Sequence, residues 1–487
     1  MKAQKDSDLV AMDRRHFLKL IGLGGGAVLL SSCAPAGTST PTGAAGVATG
    51  TPAAGANGAK TTLTFWTPGG SAEWCAGFTT IAKDFQKVDP NIVVGNAQCY
   101  TGNQAFNEVL LATVAAGNPP DCTIVWSSPV SFAVHGAAVA LDNMMSTSKY
   151  SEAANWPSNV LASCQFKGQT YGLPVTAGSY AIFYNQEMFE AKGLSSARED
   201  FPKTWDDLRR ISKEFTHWNG DTLETAGYIP WSNPADPGGS AVELAIWSAL
   251  NGSQLFDAEN LKYTLDSEEN IAMMQYAVDW LKEEYKGNIV AVRASGNWSG
   301  GNPDAQGRSP NFQAGKQAML TNGAWFTGDM YGADMKFTRW EVAPFPVGPS
   351  GTHTVTGYWP NWLMIPKGSK HVDQAFEYMD YMSGVGIEAW FAITPDTPAN
   401  KLVPTDLVPK RLIDERGLDF ATNATNFFRN QLDVATPMWN SPVQDFGNDQ
   451  IGNAVDQILS LKATPKDALG EAQKQCQAEL DRVLSGG

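Results

Sequence analysis

GQTYGLPVTAGSYAIFYNQEMFEAKGLSSAREDFPKTWDDL, residues 168–208, is the stretch from which the rest of the chain can be read. Its first half is strand-like. Tyr171 and Leu173 precede a Gly/Thr/Ser-rich break at residues 175–179. Tyr180-Ala-Ile-Phe-Tyr184 then supplies aromatic and branched residues that fit a pleated sheet. Asn185 stands where a helix cap is wanted, and Glu187, Met188 and Phe189 open a short helix that Gly193 can end. Residues 202–208 form a second start signal. Thr204 can cap, Asp206 and Asp207 suit the positive end of the helix dipole, and Trp205 and Leu208 share an apolar face.

On the N-terminal side, residues 61–67 read as a strand and 72–88 as an amphipathic helix with Phe78, Ile81, Ala82 and Phe85 on one face. Residues 92–97 make the next strand, so a βαβ unit with parallel pairing opens the domain. A helix over 106–116 and a third strand over 122–126 follow. On the C-terminal side, helices are expected over 208–218, 242–250 and 271–285, with a strand over 226–231. Residues 294–311 form a Gly/Asn/Ser/Pro loop carrying Trp298, of the kind that serves a site more often than a core. Residues 316–325 give a strand ending at Trp325, 341–348 a proline-bearing strand suited to a crossing, and 356–362 a second aromatic loop. A strand over 363–366, a helix over 372–383, a proline-rich crossing over 394–409 and a mostly helical remainder complete the chain.

Several separated pieces occur in one order. They are Ala115-Ala-Gly-Asn-Pro-Pro-Asp121, Leu141-Asp142, Tyr171-Gly172-Leu173-Pro174, Tyr184-Asn185, Gly193-Leu194, residues 202–208, and Phe312-x-x-Gly315-Lys316-x-Ala318-Met319 with Gly323-x-Trp325. Together they resemble the extracellular solute-binding proteins of bacterial ABC importers, in particular the family that includes the maltose-binding proteins. The resemblance implies an α/β chain with the two-lobed periplasmic-binding-protein fold of type II, each lobe a mainly parallel sheet flanked by helices, with a cleft between. Residues 61–176 plus 346–395 would form the N-terminal lobe and 177–345 plus 396–487 the C-terminal lobe, with 175–179 as a hinge. Ligands of such folds sit at strand ends, and closure is a hinge motion.

The same resemblance marks candidate ligand contacts. Trp126 ends the third strand, where maltose-binding relatives place an aromatic residue. Tyr180 follows the first crossing; the relatives have an acidic contact nearby, where this chain has Gly178 and Ser179. Trp325 matches the family's G-x-W, and Trp231 ends another strand of the same lobe. Tyr358, Trp359 and Trp362 belong to the aromatic loop, and Ser71, Glu73 and Ser127 are polar partners. Each Trp taken singly is as readily a core residue; the set is what points to a sugar, whose C–H faces pack on rings at about 1 kcal/mol each beyond area burial.

Composition narrows the function. The chain has 487 residues, of which 43% are hydrophobic, enough for a large core. Its formal charge is −15; residues 1–32 carry five Lys/Arg and three Asp, so the remainder stands at −17. That argues against nucleic acid and anionic membrane surfaces as partners. Sixteen Trp among only 17% charged residues suit a ligand with flat, weakly polar faces. The His are scattered, no Cys has metal-ligand spacing, and neither G-x-S-x-G nor a phosphate-binding loop is present, so no metal and no cofactor are expected. A secreted carbohydrate hydrolase or lyase would need two positioned carboxylates, and no local pair must meet. A binding protein for a non-sugar solute such as a phosphate ester would call for clustered Arg or Lys at strand ends.

The N-terminus reads as an export segment. Asp13-Arg14-Arg15-His16-Phe17-Leu18-Lys19 resembles a twin-arginine signal, an apolar run too short to span a bilayer follows, and Leu30-Ser31-Ser32-Cys33 resembles a lipobox. Residues 1–32 would be removed and Cys33 lipidated, placing the protein on the outer face of the bacterial cytoplasmic membrane as a monomer beside a permease. Residues 33–60, almost wholly Ala, Gly, Pro, Thr and Ser, read as a tether. Of the five further cysteines, Cys75 and Cys99 fall on one edge of a doubly wound sheet and can bridge; buried free thiols are the alternative.

Overall fold

Leu173–Asn185 is one unbroken strand of 13 residues in the computed structural model. The Gly/Thr/Ser stretch expected as a break is therefore the middle of a strand. Residues of this size are required because Thr176, Ala177, Gly178 and Ser179 are all buried under neighbours. The model describes residues 60–69, 72–231, 237–301, 307–331, 335–436 and 440–486. Arg14, Arg15, Cys33, Ser71 and nearly all of the tether lie outside them. The described residues belong to one unit, Gly58–Gly487.

The long strand is the spine of a nine-stranded sheet. In chain order its strands are β1 Phe65–Pro68, β2 Gln98–Tyr100, β3 Cys122–Val125, β4 Leu173–Asn185, β5 His217–Asn219, β6 Thr222–Tyr228, β7 Gln317–Gly323, β8 Trp340–Ala343 and β9 Tyr358–Met364. The spatial order is β2-β1-β3-β9-β4-β7-β6-β5, with β8 also paired to β4. Strands β1, β2 and β3 are mutually parallel, as are β6 and β7, which is the expected βαβ arrangement. Strands β7, β8 and β9 run antiparallel to β4, so the sheet as a whole is mixed.

Strand alternation explains how β4 serves several cores. Leu173, Val175 and Ala177 enter a core with Phe65, Phe78, Ile124, Trp362 and Trp390. Further along, Ile182 and Tyr184 enter a second core with Trp205, Trp247, Trp280 and Leu480, while Ala181 and Phe183 face a third with Phe326, Trp340 and Phe428. Face alternation thus sends Ile182 and Tyr184 to one side of the sheet and Ala181 and Phe183 to the other.

Helix boundaries follow their caps. Asn185 accepts from Met188 N at 3.2 Å ahead of Gln186–Ala191, and Thr204 accepts from Asp207 N at 3.2 Å ahead of Trp205–Phe215. The second helix stops before Trp218, which lies in β5 because residues 217–219 pair with the following strand. Residues 358–362, expected as a loop, are strand β9, since their alternation matches β4 across the pair Tyr358 to Ser179 through Asn361 to Thr176. Trp298 sits in a loop yet is 3% exposed and packs in the second core, with Nε1 donating to Ser295 Oγ at 3.0 Å. Cys75 and Cys99 form a disulfide, with Cα atoms 6.1 Å apart, whereas Cys122, Cys164 and Cys476 are buried thiols. No helix among the described residues is long and apolar enough to cross a membrane.

Candidate functional site

Two aromatic pairs stand on either side of the middle of β4. The first is made where β1 turns at Gly69 into helix Ala72–Val88 and where β3 ends. Trp74 and Trp126 meet there with ring centroids 6.1 Å apart, edge to face. Trp74 donates from Nε1 to Thr67 Oγ1 at 2.9 Å and backs onto Phe78 and Trp390. Gly69, at φ 92°, allows the close turn; a Cβ there would lie 3.1 Å from the Trp126 ring. The second pair is Tyr180 of β4 and Trp325, just past the end of β7, with centroids 5.2 Å apart and rings nearly perpendicular. All four rings are half-buried.

A buried polar set lies between the pairs. Trp126 Nε1 donates to Asn361 Oδ1 at 2.7 Å. Asn361 Nδ2 donates to Thr176 Oγ1 at 2.8 Å and to Asp396 Oδ2 at 2.9 Å. Thr176 Oγ1 donates to Asp396 Oδ2 at 2.7 Å, and Thr397 N to Asp396 Oδ1 at 3.0 Å. Burial pushes the Asp396 carboxyl up to about 7, against the pull of these donors. The ring of Trp325 lies against Gly178, where a Cβ would fall 2.6 Å from it.

The expected residues divide by location. Trp126, Tyr180, Trp325 and Trp359 gather around Asn361 and Gly178; Trp359 is half-buried and stands opposite Gly178 in the ladder. Trp231, Tyr358 and Trp362 are buried within the cores. Trp362 Nε1 donates to Ser163 Oγ at 2.9 Å and Tyr358 OH to Asn159 O at 2.8 Å. Ser127 is buried beside Trp126, where its hydroxyl donates to Asp445 Oδ1 at 2.5 Å and accepts from Asn107 Nδ2 at 2.7 Å. Asp445 belongs to helix Gln444–Leu459, so this contact ties the first core to the second. The side chain of Glu73 is outside the described residues, as is all of Ser71.

Sequence reasoning missed Trp74, Thr176, Asn361 and Asp396. It also missed Glu243, which accepts from Trp231 N at 3.0 Å and whose carboxyl burial pushes up to about 7. None of the residues named around Asn361 and Gly178 is cationic. Half-buried ring faces set beside one another can hold a neutral, polyhydroxylated molecule by stacking on its C–H faces.

Residues 80–412 match the family described as bacterial extracellular solute-binding protein. Among relatives, the arabinooligosaccharide-binding protein of Bacillus subtilis (strain 168) is 24% identical over 432 residues, 85% of this chain and 91% of that protein. The multiple sugar-binding protein of Streptococcus mutans is 25% identical over 307 residues, 62% of this chain and 67% of that protein. The solved structure of CpMnBP1 with mannotriose bound superposes with a TM-score of 0.69 at 22% identity, covering 85% of this chain and 100% of that one. The fold is the two-lobed α/β fold of these proteins.

Proposed function

The chain belongs to the bacterial extracellular solute-binding protein family, and from that premise we propose that it binds a sugar or oligosaccharide between its lobes and delivers it to the permease of an ABC importer. The observation that carries this reading is the pairing of Trp74 with Trp126 and of Tyr180 with Trp325 on either side of one buried polar set. The names of the relatives, each a binding protein for sugars, support it. On this reading residues 61–176 plus 346–395 form one lobe and 177–345 plus 396–487 the other. Trp126, Trp325, Tyr180 and Trp359 are the stacking contacts, joined by Trp74. The protein is a monomer, exported through a signal containing Arg14 and Arg15, and lipid-anchored at Cys33 on the outer face of the cytoplasmic membrane.

Titrating the purified protein with a glycan panel, read by tryptophan fluorescence and by product analysis, is expected to show saturable binding of a sugar that is recovered unchanged. Turnover of the sugar would overturn the reading. Trp126→Ala and Trp325→Ala are each expected to weaken that binding by about 1–3 kcal/mol with little change in the unfolding midpoint. Unfolding of both variants would make the rings core residues instead.

A further inference from the structure

We propose that Asp396 is a positioning residue for the aromatic platform: its carboxyl sets the sense of the Asn361 amide, the amide sets the plane of Trp126, and protonation of the carboxyl releases both. The effect on sugar affinity rests on the function proposed above; the relay itself does not.

An indole N–H can only donate, so Trp126 needs the carboxamide oxygen of Asn361, which it meets at 2.7 Å. The amide NH2 is then turned toward Thr176 Oγ1 and Asp396 Oδ2. Thr176, having accepted from the amide, gives its own proton to Asp396 Oδ2. Every proton in the set points toward the carboxyl, and Thr397 N–H completes it. Turning the amide over would set NH2 against N–H at one end and oxygen against oxygen at the other. Thr176, Asn361 and Asp396 are at most 6% exposed, so water cannot repair either contact.

Asp396 is placed to act on both pairs. Its segment is hydrogen-bonded along β4 by Ala177 N to Thr397 O at 2.8 Å and Ala399 N to Val175 O at 3.1 Å. A Cβ on Gly178 would lie 2.2 Å from Asp396 Oδ1 and 2.6 Å from the Trp325 ring, so the carboxyl and that ring close on the same bare Cα. The groups acting on the carboxyl are the uncharged Thr176, Asn361 and Thr397 N–H. Ionisable side chains on the neighbouring elements are Tyr180 and Tyr184 on β4, Tyr358 on β9, Glu388 on helix Ile387–Ile393, and Asp419 and Arg429 on helix Leu418–Gln431. Tyr184 and Tyr358 bond to Ser196 O and Asn159 O, and Arg429 to Pro404 O. Three donors suit a carboxylate, which only accepts. A proton added to Oδ2 turns it from acceptor to donor, and Thr176 Oγ1 can take that proton only by giving up its own bond to the carboxyl, so the acceptors that fix the amide are lost. Burial brings that step to about 7.

The test follows the indole Nε1–H resonance of Trp126 in 15N-tryptophan-labelled protein, assigned by its disappearance in Trp126→Phe. Without sugar, the resonance is expected to pass through one transition near 7 between about pH 5 and about pH 9. It is expected to stay fixed in Asp396→Asn and to be displaced and pH-independent in Asn361→Leu. A resonance that ignores pH in the unsubstituted protein, or that titrates unchanged in Asp396→Asn, overturns the proposal. If Asp396→Asn does not fold, Asn361→Leu decides: a resonance still in place and still titrating overturns it. The binding arm uses maltotriose, mannotriose and arabinotriose as probes. Affinity for the one that binds is expected to fall about threefold or more from pH 8 to pH 6 in the unsubstituted protein only. A titrating resonance with no probe bound supports the relay and counts against sugar binding by these probes. A static resonance with a probe bound does the reverse.

Discussion

Gly178→Val is expected to reduce sugar affinity by about 100-fold or more while costing about 1–3 kcal/mol of stability, the usual range for overpacking a buried position. A Cβ at this position would sit 2.2 Å from Asp396 Oδ1 and 2.6 Å from Trp325 Cε3. Real contacts of that kind do not occur, so something must move. The β4 backbone is the least free to move, being paired to β9 here and flanked by residues 397–399. The two side chains move instead, and they are the ring and the carboxyl on which the site depends. Gly193→Ala is the matched control. Gly193 has φ 70° and nothing near its missing Cβ, so the alanine bears only the strain of a left-handed backbone, about 1–2 kcal/mol. Affinity from fluorescence titration and stability from urea unfolding separate the effects. Gly178→Val binding sugar as the unsubstituted protein does would remove Trp325 from the site.

The contrast between these glycines shows what was legible in the chain. Gly193 ends a helix that local pattern announces, as do the caps at Asn185 and Thr204 and the helices Ala72–Val88 and Val372–Ser383. Those features depend on neighbours in sequence. Gly178 looked like part of a break because Gly, Thr and Ser are turn residues; its partners, Asp396 and Trp325, are far along the chain and leave no local mark. The same holds for Asn361, whose contacts Trp126 and Thr176 are 235 and 185 positions away. Residues 358–362 looked like a loop because Gly357 and Pro360 interrupt them, yet pairing with β4 overrides that preference. Trp74 was missed since it sits in the first turn of a helix, while attention to strand ends singled out Trp126 beside it. Trp231, Tyr358 and Trp362 meet every local criterion that Trp126 and Trp325 meet; only burial separates the two groups.

Replacing the Cys75–Cys99 bridge by serines is expected to lower the unfolding free energy by about 3 kcal/mol, because the crosslink closes a loop of 24 residues in the unfolded chain. The bridge joins a short edge strand to the first turn of a helix. Strand β2 is three residues long and lies at the edge of the sheet with β1 as its neighbour there. Cys75 lies near the start of helix Ala72–Val88, next to Trp74. Tyr100, next to Cys99, has its ring 4.9 Å from that of Trp66. Loss of the bridge should therefore loosen the Trp74 wall more than the core behind it, where Phe78 and Trp390 still hold the ring. Sugar affinity is expected to fall by about threefold to tenfold, a smaller change than the loss of stability. Urea unfolding with and without reductant checks this: the reduced protein and the double serine variant should share one midpoint, below that of the oxidised protein. Equal midpoints in the oxidised and reduced protein would show that the bridge adds nothing. The order of events is also constrained. If the signal proposed at Arg14 and Arg15 carries the chain out already folded, the thiols meet only after helix and sheet edge are in place. The reduced protein must then fold to a state that binds sugar, with the bridge stabilising that state once the protein reaches an oxidising compartment.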